Sequence, residues 1–398
     1  MADGETLVEE RISQLLDEVD PKRSPVEEFR LRQYDLGLAW VSFPQGSGGL
    51  GLAPGLQREI DRRLGEAGAT PPGPPDFFGL TMAGPTMVTH GSDGLRRRLL
   101  PRAFTGEDSW CQLFSEPGAG SDLAGLSTRA VRDGDEWVVS GQKVWTTYAH
   151  IADRGMLVTR TDPETPKHKG LTYFALDMHA EGVEVRPLRQ MTGEAEFNEV
   201  YLTEARVPDA DRVGEVGEGW RVAMTTLSNE RTTIGGGTGT PGRGSGSIAE
   251  ALRIWRDLGP ERRPVDRDRL ARSWIEAEVL RLTNARAGQN RKAGNPGPEG
   301  SIAKLMFAEV NKRIYELCVD LLGSAAMIDY DYAMRRAEGL GLIGPPGSAR
   351  KMFIRSRANS IEGGTSEIQR NILGERILGL PGEVRVDKEM PWSKVPRN

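Results

Sequence analysis

Cysteine and histidine are scarce in this chain of 398 residues, with two and four copies respectively. Cys111 and Cys318 cannot build a disulfide framework, and neither has a Cys or His nearby at metal-ligand spacing, so both read as packed thiols. His90, His150, His168 and His179 are scattered, and none belongs to an H-E-x-x-H pattern, which excludes the usual zinc protease signature. Absent too are the G-x-S-x-G elbow of serine hydrolases and the G-x-x-x-x-G-K-[ST] loop of nucleotide hydrolysis. No run approaches the roughly 18 apolar residues that span a bilayer. The start, Met-Ala-Asp-Gly-Glu-Thr, lacks the basic and apolar regions of a secretory signal, so the expected location is the cytoplasm. An excess of one charge is also missing: 52 basic against 57 acidic side chains leave a net charge of -5, with no basic field to attract nucleic acid or an anionic membrane. What is present, 37% apolar and 27% charged residues, suits a soluble globular protein of two or three domains whose chemistry borrows a cofactor.

Periodicity divides the chain into three regions. Leu7, Val8, Ile12, Leu15, Leu16 and Val19 recur at steps of three and four, as on an amphipathic helix, and further helical pieces follow to about Phe104. Between Asp108 and Pro208 the pattern alternates. Strands are expected at Thr128 to Val131, Trp137 to Val139, Met156 to Thr159, Leu171 to Leu176 and Val200 to Leu202, with an Asp-Gly hairpin at Arg132-Asp133-Gly134-Asp135. From Gly219 helical spacing returns, with one stripe of Leu270, Trp274, Ile275, Val279, Leu280 and Leu282 and another of Ile302, Leu305, Met306, Val310, Ile314, Leu317 and Leu321, both expected to line a bundle core. The expected domains are 1–108 (helical), 109–212 (a β-barrel or sandwich) and 213–398 (a helical bundle).

Three segments carry the chemistry. Phe114-Ser115-Glu116-Pro117-Gly118-Ala119-Gly120-Ser121-Asp122 combines small residues, hydroxyls and acids in a loop that lets backbone approach a planar or phosphorylated ligand closely. Lys143-Val144-Trp145-Thr146-Thr147 ends a strand with an indole beside two hydroxyls, which suits stacking and hydrogen bonding to an aromatic cofactor. Ser360-Ile361-Glu362-Gly363-Gly364-Thr365-Ser366-Glu367-Ile368-Gln369-Arg370 is a glycine turn followed by a capped helix. Each alone also fits an ordinary turn, a core Trp and a helix corner.

In this order, on an α, β, α layout, the three segments resemble the acyl-CoA dehydrogenase family over nearly the whole chain. The resemblance implies an α+β multidomain fold of N-terminal helices, a middle β domain and a C-terminal four-helix bundle, assembled as a tetramer or related dimer. It implies FAD as cofactor, α,β-dehydrogenation of an acyl-CoA, and reoxidation by an electron-transfer flavoprotein. A carboxylate takes the proton α to the carbonyl and the flavin accepts hydride from the β-carbon. By the same resemblance Phe114, Ser115, Gly120 and Ser121 line the flavin, and Trp145 and Thr147 flank its N5 side. Gln112, Thr146, Asp320, Gly323, Gly363, Gly364, Thr365 and Glu367 are further cofactor candidates, and Ser121, Ser228 and Arg231 are substrate candidates.

The chain departs from the family pattern in informative places. Where many members carry a Tyr-Glu-Gly-Thr base, Gly363 stands here and the acid falls one residue early, at Glu362. A branch that includes isovaleryl- and long-chain-type enzymes places its base on the first long helix of the C-terminal domain, directly before an arginine, and this chain has Glu230-Arg231. The family's Arg-x-Thr-Phe-Gly segment is missing between Arg243 and Arg291, and its Gln before a Leu-Gly-Gly turn is Asp320 before Leu322-Gly323-Ser324. A mixed oligomer with a paralogous subunit therefore stands beside a homo-oligomer. Two alternative functions stay open: a flavin oxidase or N-oxygenase on the same fold, and a noncatalytic partner subunit. Gly237-Thr238-Gly239-Thr240-Pro241-Gly242 matches G-x-G-x-x-G but follows a helix instead of a strand, so it reads as a break in the bundle's first helix.

Overall fold

The computed structural model describes residues 2–236, 242–292, 297–328, 333–336, 348–384 and 386–396, with residues 2, 230–236 and 291–292 described by backbone alone. They form two compact units, one from residues 1–187, 197–226 and 386–398, the other from 188–196 and 227–385.

The first unit begins with helices α1 (Ala2–Glu18), α2 (Val26–Asp35), α3 (Gln57–Ala67), α4 (Gly84–His90) and α5 (Asp93–Thr105). The three-four spacing of α1 turns Val8, Ile12 and Leu15 onto one side, where they pack with Phe29, Ile60 and Leu64. Burying each such side chain contributes about 1.5–3 kcal/mol. Helix α5 starts where Ser92 Oγ accepts from the Leu95 amide at 3.2 Å and stops at Gly106, whose φ of +86° continues no helix.

Strands β1 (Trp110–Leu113), β2 (Arg129–Asp133), β3 (Glu136–Thr147), β4 (Arg154–Arg160), β5 (Leu171–Asp177), β6 (Val183–Pro187), β7 (Phe197–Pro208) and β8 (Arg212–Val213) follow. Among the described residues they form one mixed sheet in the order β6-β7-β3-β2-β4-β5-β8, with β1 parallel to β4. Its buried face gathers Leu113, Val139, Leu157, Phe174 and Val200. The expected strands fall within β2, β3, β4, β5 and β7 apart from Thr128, which precedes β2, and the expected hairpin joins β2 to β3 with Gly134 at φ +66°. Strand β1 escapes the alternation test because Trp110, Cys111 and Leu113 are all buried. No helix among the described residues is long and apolar enough to cross a membrane.

Helix α6 (Gly219–Gly236) carries the chain into the second unit, which holds α7 (Ser247–Asp257), α8 (Pro264–Lys292), α9 (Glu299–Leu322), α10 (Ala349–Arg355) and α11 (Ser366–Asn371). Its core joins Ile248, Ala251 and Ile254 of α7 to Leu270 of α8 and to Val310, Ile314, Leu317 and Leu321 of α9. The α9 stripe is core from Val310 onward, as its spacing predicts. The α8 stripe needs correction: Leu270 is buried and Trp274 packs against the core, but Ile275, Val279 and Leu282 are exposed. Its apolar residues cover a wider arc than one neighbouring face takes up, and position i+1 from Trp274 lies about 100° round the helix. The expected break in the bundle's first helix falls mostly on Gly237 to Pro241, which lie outside the described residues; of the rest, residues 242–246 are not helical and α7 starts at Ser247.

Candidate active site

In the first unit the site is built on the Ser115–Asp122 loop. Pro117 and Gly118 turn the chain so tightly that Glu116 and Ala119 exchange both backbone hydrogen bonds at 3.0 Å. The Glu116 carboxylate then accepts from the amides of Ser127 (2.6 Å) and Thr128 (2.9 Å) and from Lys143 Nζ (2.8 Å). Lys143 is completely buried and donates its other described bond to the Phe114 carbonyl at 3.1 Å. Burial alone would raise the Glu116 pKa, but Lys143 and the donors from Ser127 and Thr128 outweigh it and hold the carboxyl below the usual range. Burial pulls the Lys143 ammonium down, with Glu116 opposing. A desolvated pair of this kind survives only where its lone pairs and protons are answered. Here it closes the loop into a ring and ties that ring to β3.

Two residues beyond Lys143, β3 loses its regular pairing with β7 and Trp145 takes φ +61°. Positive φ at a bulky residue is strained, and strain of this kind concentrates at ligand sites. The Trp145 indole is 57% exposed while packing edge-on against Phe197, with ring centroids 5.8 Å apart. Next to it Thr146 Oγ1 is buried without a hydrogen-bond partner among the described residues, which buried hydroxyls seldom tolerate. The Val144 amide donates to the Ser115 carbonyl at 2.9 Å, so loop and strand end are one assembly. Cβ atoms placed on Gly118 or Gly120 would meet nothing within 4 Å. Bare backbone, an exposed indole and an unanswered hydroxyl fit a flat ring with polar edges, such as an isoalloxazine.

In the second unit the site is the turn before α11. Gly363 and Gly364 take φ +63° and +87°, and Thr365 caps α11 by accepting from the Ile368 amide at 3.1 Å. Buried Lys304 donates to the carbonyls of Asn359 (2.9 Å) and Gly364 (2.5 Å), fixing the turn from below. Glu362 does not project freely. Its carboxylate accepts from both terminal nitrogens of Arg355, at 3.1 and 3.0 Å, and from Asn359 Nδ2 at 2.7 Å. Arg355 is itself buried and also donates to Glu196 at 3.2 Å.

The remaining candidates take varied positions. Gln112 lies on β1, and buried Phe114 meets Tyr173 edge-on at 5.9 Å. Ser115 is half-buried, Gly120 and Ser121 are exposed, and Thr147 pairs with Phe197 across β3 and β7. Ser228 is exposed on α6, and Glu230 and Arg231 follow on the same helix, with side chains outside the described residues. Asp320 accepts from Arg269 at 2.6 Å, Gly323 ends α9 at φ +58°, and exposed Glu367 pairs with Arg370. Glu116, Lys143, Lys304, Arg355 and Asn359 hold the site without being among the candidates the motifs single out. Only Lys143 has a signal in the sequence: strand alternation puts residues 137, 139 and 143 on one face, and Trp137 and Val139 are plainly core.

Residues 111–205 match the middle domain of acyl-CoA dehydrogenase and residues 217–378 its C-terminal domain. Acyl-CoA dehydrogenase FadE34 of Mycobacterium tuberculosis is 39% identical over 90% of this chain, which spans about half (47%) of that protein's length. Acyl-CoA dehydrogenase IpdE1 of the same organism is 36% identical, covering 88% of this chain and 86% of its own. Among solved structures, the Tcur3481-Tcur3483 steroid ACAD matches 96% of this chain and 99% of its own at 26% identity and a TM-score of 0.70. The ChsE4-ChsE5 complex of Mycobacterium tuberculosis covers the same shares at 29% identity and a TM-score of 0.67. The matched domains define a flavin-dependent oxidoreductase. The chain belongs to the acyl-CoA dehydrogenase family, whose fold binds FAD.

Proposed function

We propose that this chain carries out α,β-dehydrogenation of an acyl-CoA thioester to the 2-enoyl-CoA, with Glu230 as the base. The observation that carries the base assignment is the engagement of Glu362. Its carboxylate is bound by Arg355 and Asn359, and Gly363 offers no side chain at the neighbouring position. A carboxylate held by a buried guanidinium and an amide is committed to the turn and is not presented to a substrate carbon. Glu230, on α6 before Arg231, is then the acid suited to remove the α-proton. FAD, when bound, supplies the acceptor for the β-hydride. On the protein side, Phe114, Ser115, Gly120 and Ser121 border the ring, Trp145, Thr146 and Thr147 flank it, and Ser121, Ser228 and Arg231 orient the thioester. Glu230→Gln should keep flavin and cut turnover about 10²- to 10⁴-fold, the range for losing a positioned base. Glu362→Gln should be much milder, and the reverse outcome in a dye-reduction assay overturns the assignment. Oxygen consumption matching substrate turnover would instead favour the oxidase alternative.

The acyl group proposed is bulky and ring-bearing, and the acceptor an electron-transfer flavoprotein. The steroid ACAD among the similar structures supports the first. The Caffeyl-CoA reductase-Etf complex subunit CarC of Acetobacterium woodii, 25% identical, supports the second. A panel of acyl-CoAs graded in size tests the acyl group. Pairing with a paralogous subunit is supported by the missing Arg-x-Thr-Phe-Gly segment, by a relative of twice this length and by two similar structures named for two chains.

A further inference from the structure

Glu116 and Lys143 hold the near end of the Ser115–Asp122 loop, and its far end is held by residues from the end of the chain. Residues 386–396 lie beyond the stretch matched by the C-terminal family domain, which stops at 378, and they belong to the first unit. Trp392 Nε1 donates to the Gly125 carbonyl at 3.1 Å, and its ring lies against the Arg160 guanidinium, 4.6 Å from the centroid. The amides of Trp392 and Ser393 donate to the carbonyls of Thr165 (2.9 Å) and Pro163 (2.8 Å). Beneath the indole, Arg160 is 3% exposed and donates to the carbonyls of Ala124 (2.5 Å), Leu126 (3.4 Å) and Lys167 (2.7 Å). Lys167 Nζ bridges the two segments, donating to Asp387 at 2.6 Å and to Asp122 at 2.9 Å.

We propose that residues 386–396 are a strap that fixes the Asp122–Leu126 end of the loop, making Asp387 and Trp392 positioning residues for the groups the loop contacts. This rests on the proposed role of that loop in holding FAD and acyl-CoA. The physical need is specific. Gly118 and Gly120 give the loop many conformations to lose, and a loop ordered before binding spares the ligand that entropy. Asp122 is exposed, and its tie through Lys167 joins this end of the loop to the strap. The Trp392 contact with Arg160 combines an apolar lid and a cation–π attraction over a guanidinium that has three loop and turn carbonyls to serve.

The test uses the full chain, with any co-purifying partner, and the variants Trp392→Ala, Trp392→Phe and Asp387→Asn. Hydrogen exchange is followed peptide by peptide, with and without FAD. In Trp392→Ala and Asp387→Asn, exchange across residues 118–126 should rise about tenfold or more while β4 and β5 amides keep their protection, as for a local opening. FAD affinity should weaken about three- to tenfold and KM rise more than kcat falls, in line with lost preorganisation. Trp392→Phe, which keeps a ring against Arg160, should lie between Trp392→Ala and the parent. Unchanged loop exchange in both Trp392→Ala and Asp387→Asn overturns the proposal, and so does a uniform rise over the whole sheet, which marks a merely structural tail. If the parent chain takes up no flavin, the functional reading fails, whereas loop exchange still reports on the strap.

Discussion

Lys143 and Glu116 are the residues on which the Ser115–Asp122 loop depends, and both are buried, Lys143 completely. Lys143→Met would leave the Glu116 carboxylate buried with two amides and no counter-charge, a loss of about 3–5 kcal/mol. Thermal unfolding should show that loss, and flavin should dissociate more readily because the Ser115 loop is no longer pinned to β3. Adding Glu116→Gln to Lys143→Met should recover part of the stability, since the stranded charge is gone. The pair also fixes a pH dependence. The folded pKa of Glu116 lies below its unfolded value, so its contribution is fully present above the ordinary carboxylate pKa and is lost as pH falls through the depressed folded value. The difference in unfolding temperature between the parent and Glu116→Gln should therefore be constant near neutrality and shrink in acid. A difference that grew on acidification would contradict the pairing.

At the scale of elements, the turn before α11 shows what local sequence can and cannot reveal. Two glycines followed by Thr-Ser-Glu announce a sharp turn and a capped helix, and both are there. Gly364→Ala should cost about 1–3 kcal/mol in chemical unfolding, because the residue sits at φ +87° and a Cβ would lie 2.8 Å from Gln369 Nε2. What holds the turn was not legible, since Lys304 is 60 residues from Gly364 and Arg355 is 159 from Glu196. Spacing rules reach a few residues along one helix or across one hairpin, and such links depend on how elements pack. The same contrast separates α1, whose buried Val8, Ile12 and Leu15 follow from periodicity, from β1, whose continuous burial gives no period to detect. Helix α8 falls between them: its apolar residues were evident, but which of them met the core depended on neighbours.

The exposed part of α8 is a property of the whole molecule. Ile275, Val279 and Leu282 stand at i, i+4 and i+7, each about half exposed at 56, 46 and 53%, so they form a continuous apolar stripe along the helix. Isolated surface apolar residues are ordinary, whereas a contiguous stripe on a long bundle helix is a candidate face for another chain. The proposed assembly, whether with a second copy or a paralogous subunit, has a suitable face here. Ile275→Glu with Val279→Glu tests it cleanly, because exposed positions away from caps and buried networks usually change folding stability by only about 0.5 kcal/mol each. The variant should therefore keep its far-ultraviolet circular dichroism and unfold at nearly the parent temperature. Light scattering should nevertheless report a smaller species, since two charges in the middle of an apolar contact must be desolvated without partners. If the FAD site draws on a neighbouring chain, flavin content should fall together with the mass. A parent protein that is an active, flavin-loaded monomer at assay concentration would remove the basis for this contact, and α8 would then be an apolar face left open to water.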